Sequence, residues 1–187
     1  MTRAKLSQYL VRGLLAFVSV HAARAQETVA RSYPVPEHGR IEFKIPSSWK
    51  DQIQQLKGTL PPTITWSQQS GAAFRVMVTV GWQDQSAEAR LTEAELKQRV
   101  DQTMALRESQ AEEKQLSIQE LKGPSAHGYY FSATDRAPKP GEHKHLTQGI
   151  VLVEELIVAF IIFTNDGQEG IAADALAAIR SATHHKK

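Results

Sequence analysis

Leu156-Ile157-Val158-Ala159-Phe160-Ile161-Ile162-Phe163 is a run of eight apolar residues with no polar interruption. A strand with one wet face alternates apolar and polar, so an unbroken run asks for cover on both faces. Eight residues fall far short of the roughly 20 that a membrane-spanning helix needs. The run therefore predicts a central strand with layers on both sides of its sheet. Glu154-Glu155 immediately before it reads as a polar hairpin tip, and Leu146 to Val153 before that as the partner strand.

Working outward toward the amino terminus, His127 to Ala133 and Leu116 to Leu121 read as two more strands, separated by Gly123-Pro124. The segment Asp135 to Glu142 holds Pro138, Pro140 and Gly141 and reads as an exposed loop. One helix has a well-marked start. Thr92 is followed three residues later by Glu95, and Leu91 and Leu96 flank the pair, which is a capping box with a hydrophobic staple. Leu96, Val100 and Met104 then recur at helical spacing and place one stripe toward the core. Phe74, Val76, Val78, Val80 and Trp82 alternate with Arg75, Met77 and Thr79, the period of a half-covered strand. Thr63 to Trp66 reads as its hairpin partner across the loop Ser67 to Gly71.

Arg40-Ile41-Glu42-Phe43-Lys44-Ile45 alternates in the same way and is stopped by Pro46. Ser47 to Lys50 reads as a short helical turn, Pro34 to Gly39 as a turn, and Gln26 to Tyr33 as a ragged first strand. Toward the carboxyl terminus, Asp166 with Glu169 marks a helix start, and Ile171, Ala175, Leu176 and Ile179 form its inner face. The order of strands, helix, strands, helix, with short loops between strands, predicts an α+β fold. It is expected to be an antiparallel sheet of six to seven strands with helices on both faces, an α/β/α sandwich. Residues 26–182 read as a single domain and 183–187 as a disordered tail.

Residues 1–25 read as a secretory signal peptide. Arg3, Lys5 and Arg12 precede the apolar stretch Gly13 to Val20, and Ala23 and Ala25 supply the small residues of a cleavage site before Gln26. The alternative is an uncleaved anchor, for which the apolar stretch is short. There is no cysteine in the chain, hence neither a lipobox nor a disulfide. These features suit a periplasmic or secreted bacterial protein that is not inserted in a membrane after cleavage. The full chain carries 22 Lys+Arg against 20 Asp+Glu, but residues 1–25 hold four of the bases (with Arg24) and none of the acids. Residues 26–187 thus carry 18 bases against 20 acids, a formal charge of −2. The basicity belongs to the leader, and the basic stripe of a nucleic-acid binder is missing.

Phe43-Lys44-Ile45-Pro46-Ser47-Ser48-Trp49 resembles the apolar strand, proline and nearby tryptophan of the PsbP-like family, and the order of elements from residue 40 to residue 182 is similar too. That family includes photosystem extrinsic subunits and many small exported bacterial proteins. The resemblance implies an α/β/α sandwich and a binding or scaffolding role without catalysis. No metal-binding or photosystem-docking residue of the family carries over to a position here.

The polar cluster Glu142-His143-Lys144-His145 is the main candidate for chemistry. On a strand, His143 and His145 would project from one face and could share a divalent metal, with His127 or Glu142 as a third ligand. The competing reading is a solvated loop end. His184-His185-Lys186-Lys187 could bind metal or an acidic surface, but reads as tail, and His38 as an exposed turn residue. Ser47 and Ser48 have no G-x-S-x-G elbow around them and read as caps. Asp135 reads as a strand-ending turn. The glycines form no phosphate-cradling motif, so no cofactor is expected. Trp49, Trp66 and Trp82 could line a groove, although core packing suits their size better. The function expected is an exported non-enzymatic module that binds another envelope or secreted protein. The alternative is a periplasmic metal- or small-ligand-binding protein using His143 and His145.

Overall fold

A computed structural model describes residues 26–54, 60–70, 73–83 and 90–187. The expected signal peptide, residues 1–25 with Ala23 and Ala25, lies outside the described residues. The apolar run is strand β9 (Leu156–Thr164), and it occupies the middle of a seven-stranded sheet. The order across that sheet is β3 (Trp49–Gln54), β4 (Thr63–Gln68), β5 (Arg75–Trp82), β9, β8 (His145–Val153), β7 (Ala126–Thr134) and β6 (Gln119–Lys122). Every neighbouring pair is antiparallel. A second, three-stranded sheet holds β1 (Thr28–Val35), β2 (Gly39–Pro46) and β10 (Thr183–His185). The helices are α1 (Glu93–Glu108) and α2 (Glu169–Arg180). Among the described residues no helix is long and apolar enough to cross a membrane.

The alternation in β9 is hidden in its composition and visible in its burial. Leu156, Val158, Phe160 and Ile162 are fully buried, while Ile157, Ala159, Ile161 and Phe163 between them are half-buried. The inner set joins Val76, Val78 and Val80 of β5, Ile41, Phe43 and Ile45 of β2, and Ala175, Ala178 and Ile179 of α2 in one large core. Each such aliphatic or aromatic side chain contributes about 1.5–3 kcal/mol when taken from water. Trp66 sits at its heart. It donates its indole N–H to the Tyr33 hydroxyl at 3.1 Å and meets the Phe43 ring edge-on at 5.2 Å. A smaller core groups Val100 and Met104 of α1 with Phe131 and Ala133 of β7, Ala111 and Leu116. Helix α1 packs on β7 and β8, so it does not extend the expected cover across the whole outer face of β9.

The capping box is built as its spacing dictates. Thr92 N–H donates to Glu95 Oε2 at 2.8 Å, and Glu95 N–H donates to Thr92 Oγ1 at 3.3 Å. Helix α1 is further tied to the sheet by Tyr129, whose hydroxyl donates to Glu93 Oε1 at 2.7 Å. That carboxylate acceptor pushes the Tyr129 phenol up to about 12.

Several expectations are corrected. Ser47 and Ser48 form the turn between β2 and β3, and no helical turn follows. The polar series Lys50-Asp51-Gln52 is carried in a strand because Asp51 is paired with Arg31 of β1, which also donates to the Trp49 carbonyl. The strand read from Leu116 is confined to Gln119–Lys122, since Leu116 turns into the smaller core. The helix start at Asp166 is displaced to Gln168 because Asp166 is engaged by Lys144 and His145. Of residues 183–187, expected to be disordered, Thr183–His185 form strand β10, paired with β2 in the register His184 with Ile41. Gly39 permits that approach. It has φ +87°, and a Cβ there would stand 2.2 Å from the His185 carbonyl oxygen.

Candidate functional site

The open end of the β7–β8–β9 ladder carries a cleft of about 770 Å³. Its parts come from six places in the chain: Arg75 at the start of β5, Arg107 and Ser109 to Ala111 at the end of α1, Ala133 and Thr134 at the end of β7, the Pro-rich loop with His143 and Lys144, and Leu146 of β8 with Phe163 of β9 as an apolar floor. The loop is pinned at both ends. Asp135 N–H donates to the Lys144 carbonyl at 2.8 Å, and Arg136 N–H donates to the Gln110 carbonyl at 2.9 Å. Arg136 also donates through Nη2 to the Ala111 carbonyl at 2.7 Å. The residues Arg136 to Glu142 between are exposed, as the two prolines suggested.

The lining is cationic. Arg75, Arg107, Arg136, Lys139 and Lys144 line it with Asp135 and Glu142, and the Lys144 ammonium is paired with Asp166 at 3.2 Å. Both carboxylates are turned onto backbone donors: Asp135 Oδ1 accepts from Ala137 N–H at 2.9 Å, and Glu142 Oε2 accepts from Lys139 N–H at 3.0 Å. Asp135 is thus the strand-ending turn its position suggested. A cavity with an apolar floor and several guanidinium and ammonium groups at its walls is chemically suited to carboxylate-bearing groups, which arginine binds bidentately.

The two histidines singled out from sequence part company here. Strand β8 begins only at His145, so the two-residue period does not reach back to His143. The His143 ring packs on Phe163 at 5.6 Å within the cleft, and its Nε2 is buried without a hydrogen-bond partner. Burial, helped by Arg75, holds its pKa below the ordinary histidine value. His145 stands opposite Thr164, the neighbour of Phe163 that faces the other way on β9. Its Nε2 lies 2.8 Å from Asp166 Oδ1 and its Nδ1 lies 3.3 Å from Thr134 Oγ1. Hydrogen bonds from His145 and Lys144 hold the Asp166 carboxyl below its ordinary value. Of the third ligands considered, Glu142 is held by Lys139, while His127 lies seven residues along β7 from Thr134, about 23 Å at strand rise.

Trp49 and Trp66 are core residues, and Trp82 is half-buried with the His38 ring stacked on it at 4.7 Å. Ser48 accepts from the Gln26 side chain at 2.8 Å, and Ser47 N–H donates to the Glu27 carbonyl. Arg136, Lys139 and Lys144 are close in sequence, but Arg75 and Arg107 carry no local signal, because they reach the cleft from β5 and α1.

No protein-family model matches this chain, and no curated protein matches it. Among solved structures, the solution structure of cyanobacterial PsbP (CyanoP) from Synechocystis sp. PCC 6803 matches with a TM-score of 0.50 at 11% identity, over 90% of this chain and 99% of that one. A crystal structure from Bacteroides thetaiotaomicron VPI-5482 matches with a TM-score of 0.38 at 13% identity, over 79% of this chain and 46% of that one. The chain is PsbP-like in fold, as the segment Phe43 to Trp49 suggested, and the likeness is one of fold alone.

Proposed function

We propose that this chain is an exported, non-catalytic module that docks on another envelope or secreted protein, with its two helices as outer layers of a layered sandwich and the cleft at the open end of β7–β8–β9 as the docking point. The observation that supports this reading is the charge of the cleft, whose lining holds five cations to two carboxylates over the floor of Leu146 and Phe163, with Lys144 paired to Asp166 and the three arginines and Lys139 left as the excess. Such a recess suits an acidic side chain or terminal carboxylate presented by a partner, with the aliphatic floor taking the chain that carries it. The PsbP-like fold is consistent with binding rather than turnover. The test is capture of a partner from the envelope fraction by the purified protein and by an Arg75→Glu, Arg107→Glu variant. Capture by the wild type that weakens with salt and is abolished by the double reversal is expected. Capture that the variant retains in full would contradict the reading.

A second reading, small-ligand or metal binding at the same end, is favoured by one observation, the buried and unpartnered Nε2 of His143. His145 would enter it only by releasing Asp166. A divalent metal or small carboxylate that raises the melting temperature of the wild type, but not of His143→Ala with His145→Ala, would support it over the first.

A further inference from the structure

At the other end of the β8–β9 hairpin, the tip residues Glu154 and Glu155 meet the terminal strand β10. His184 is held there with its side chain fully out of solvent. Its Nε2 lies 2.7 Å from the His38 carbonyl oxygen. A carbonyl can only accept, so Nε2 carries the proton, and in the neutral ring Nδ1 presents a lone pair. That Nδ1 is buried without a hydrogen-bond partner and stands 3.4 Å from Glu154 Oε2. A lone pair facing a carboxylate oxygen repels it, and the repulsion is removed either by a proton on Nδ1 or by a metal cation between the two atoms. The ligand atoms of His184, Glu154 and Glu155 all lie within 4.8 Å of one another.

We propose that His184 Nδ1, Glu154 and Glu155 form a binding site for one divalent transition-metal cation of the zinc class. Two donors at zinc's usual bond length of roughly 2.0–2.1 Å in a tetrahedron are about 3.4 Å apart, which is the observed Nδ1 to Oε2 separation. The second ring nitrogen bonded to a backbone carbonyl is the outer-shell arrangement that fixes the tautomer of a metal-binding histidine. The imidazole donor selects zinc and its neighbours over calcium or magnesium, which take oxygen ligands. Glu154 holds φ +54°, a conformation that hairpin tips ordinarily give to glycine or asparagine. Lys186 defines the competitor: its ammonium lies 2.7 Å from Glu155 Oε2 and 3.4 Å from Glu154 Oε2. The metal takes the place of that ammonium, and Lys186 swings to solvent.

The test is calorimetric titration of the purified chain with zinc chloride, repeated with cobalt(II) and read by its visible absorption. Saturable uptake of one ion is expected, with cobalt bands of a nitrogen-and-oxygen site. Glu154→Gln with Glu155→Gln keeps the size of both side chains at the turn, and should weaken affinity at least about tenfold. Lys186→Met should strengthen it about threefold or more. His143→Ala with His145→Ala should leave it unchanged, which separates this site from the cleft. Absence of saturable uptake by the wild type overturns the proposal. So does uptake undiminished in the double glutamine variant, affinity unmoved by Lys186→Met, or uptake lost with His143 and His145.

Discussion

The two ends of the β8–β9 hairpin carry histidines in opposite settings. At the open end, His143 lies on an aromatic floor among guanidinium and ammonium groups, and the recess around it is cationic. At the tip, His184 sits on the terminal strand with its side chain sealed from solvent and faces two carboxylates. The same residue type is thus given opposite electrostatic surroundings by one hairpin. A histidine's chemistry is set by what the topology brings beside it, not by its sequence neighbours. Glu142 and Lys144 flank His143 in sequence, but its ring meets Phe163, twenty residues away. His184 has basic neighbours in sequence and acidic ones in space.

The comparison can be broken most severely at the tip. Gly39→Ala places a methyl group against the His185 carbonyl at a positive φ, and is expected to cost about 3 kcal/mol in urea unfolding. The backbone amides of Thr183 to His185 should lose their hydrogen-exchange protection, while those of β7 keep it. At the open end, Phe163→Ala removes a half-buried ring and should cost about 2 kcal/mol. It should also open His143 to solvent, so that the His143 midpoint in an NMR titration rises toward the ordinary histidine value.

Smaller effects sharpen the contrast without unfolding either end. The Asp166 carboxyl is held below its ordinary 3.8 by His145 and Lys144. A depressed folded value means that its link is complete above pH 3.8 and is lost as the pH falls through the folded value. A carboxyl-carbon NMR titration should place the Asp166 midpoint below 3.8, and Lys144→Ala should move it upward. The least effect on stability is expected from Glu93→Gln. Tyr129, pushed up to about 12, should then titrate closer to an ordinary tyrosine in ultraviolet absorption. With Glu93 present the raised value means that the contact stabilises below pH 10 and fades as the pH rises through about 12.

Much of the frame was legible because it is written in local periodicity. The alternation of Arg40 to Ile45 and Phe74 to Trp82, and the Thr92–Glu95 capping box, each specify an element through residues close in sequence, and each is built. What escaped depends on distant partners. Strand β3 is polar enough to read as a turn until Arg31 is placed beside Asp51. Strand β10 has no apolar pattern and exists because β2 offers an edge and Gly39 a space. The β1–β2 hairpin stands outside the seven-stranded sheet, and β10 adds a third strand to it. The cleft is likewise a product of topology, since Arg75 and Arg107 approach His143 only after β5 and α1 are packed.

The most direct test of the docking role is site-specific photo-crosslinking in the envelope, with the reactive residue at Lys139 on the cleft rim and, for comparison, at Lys50 on the exposed side of β3. A salt-sensitive adduct to one partner from position 139, with none from position 50, is the expected result. Adducts from position 50 alone would contradict it.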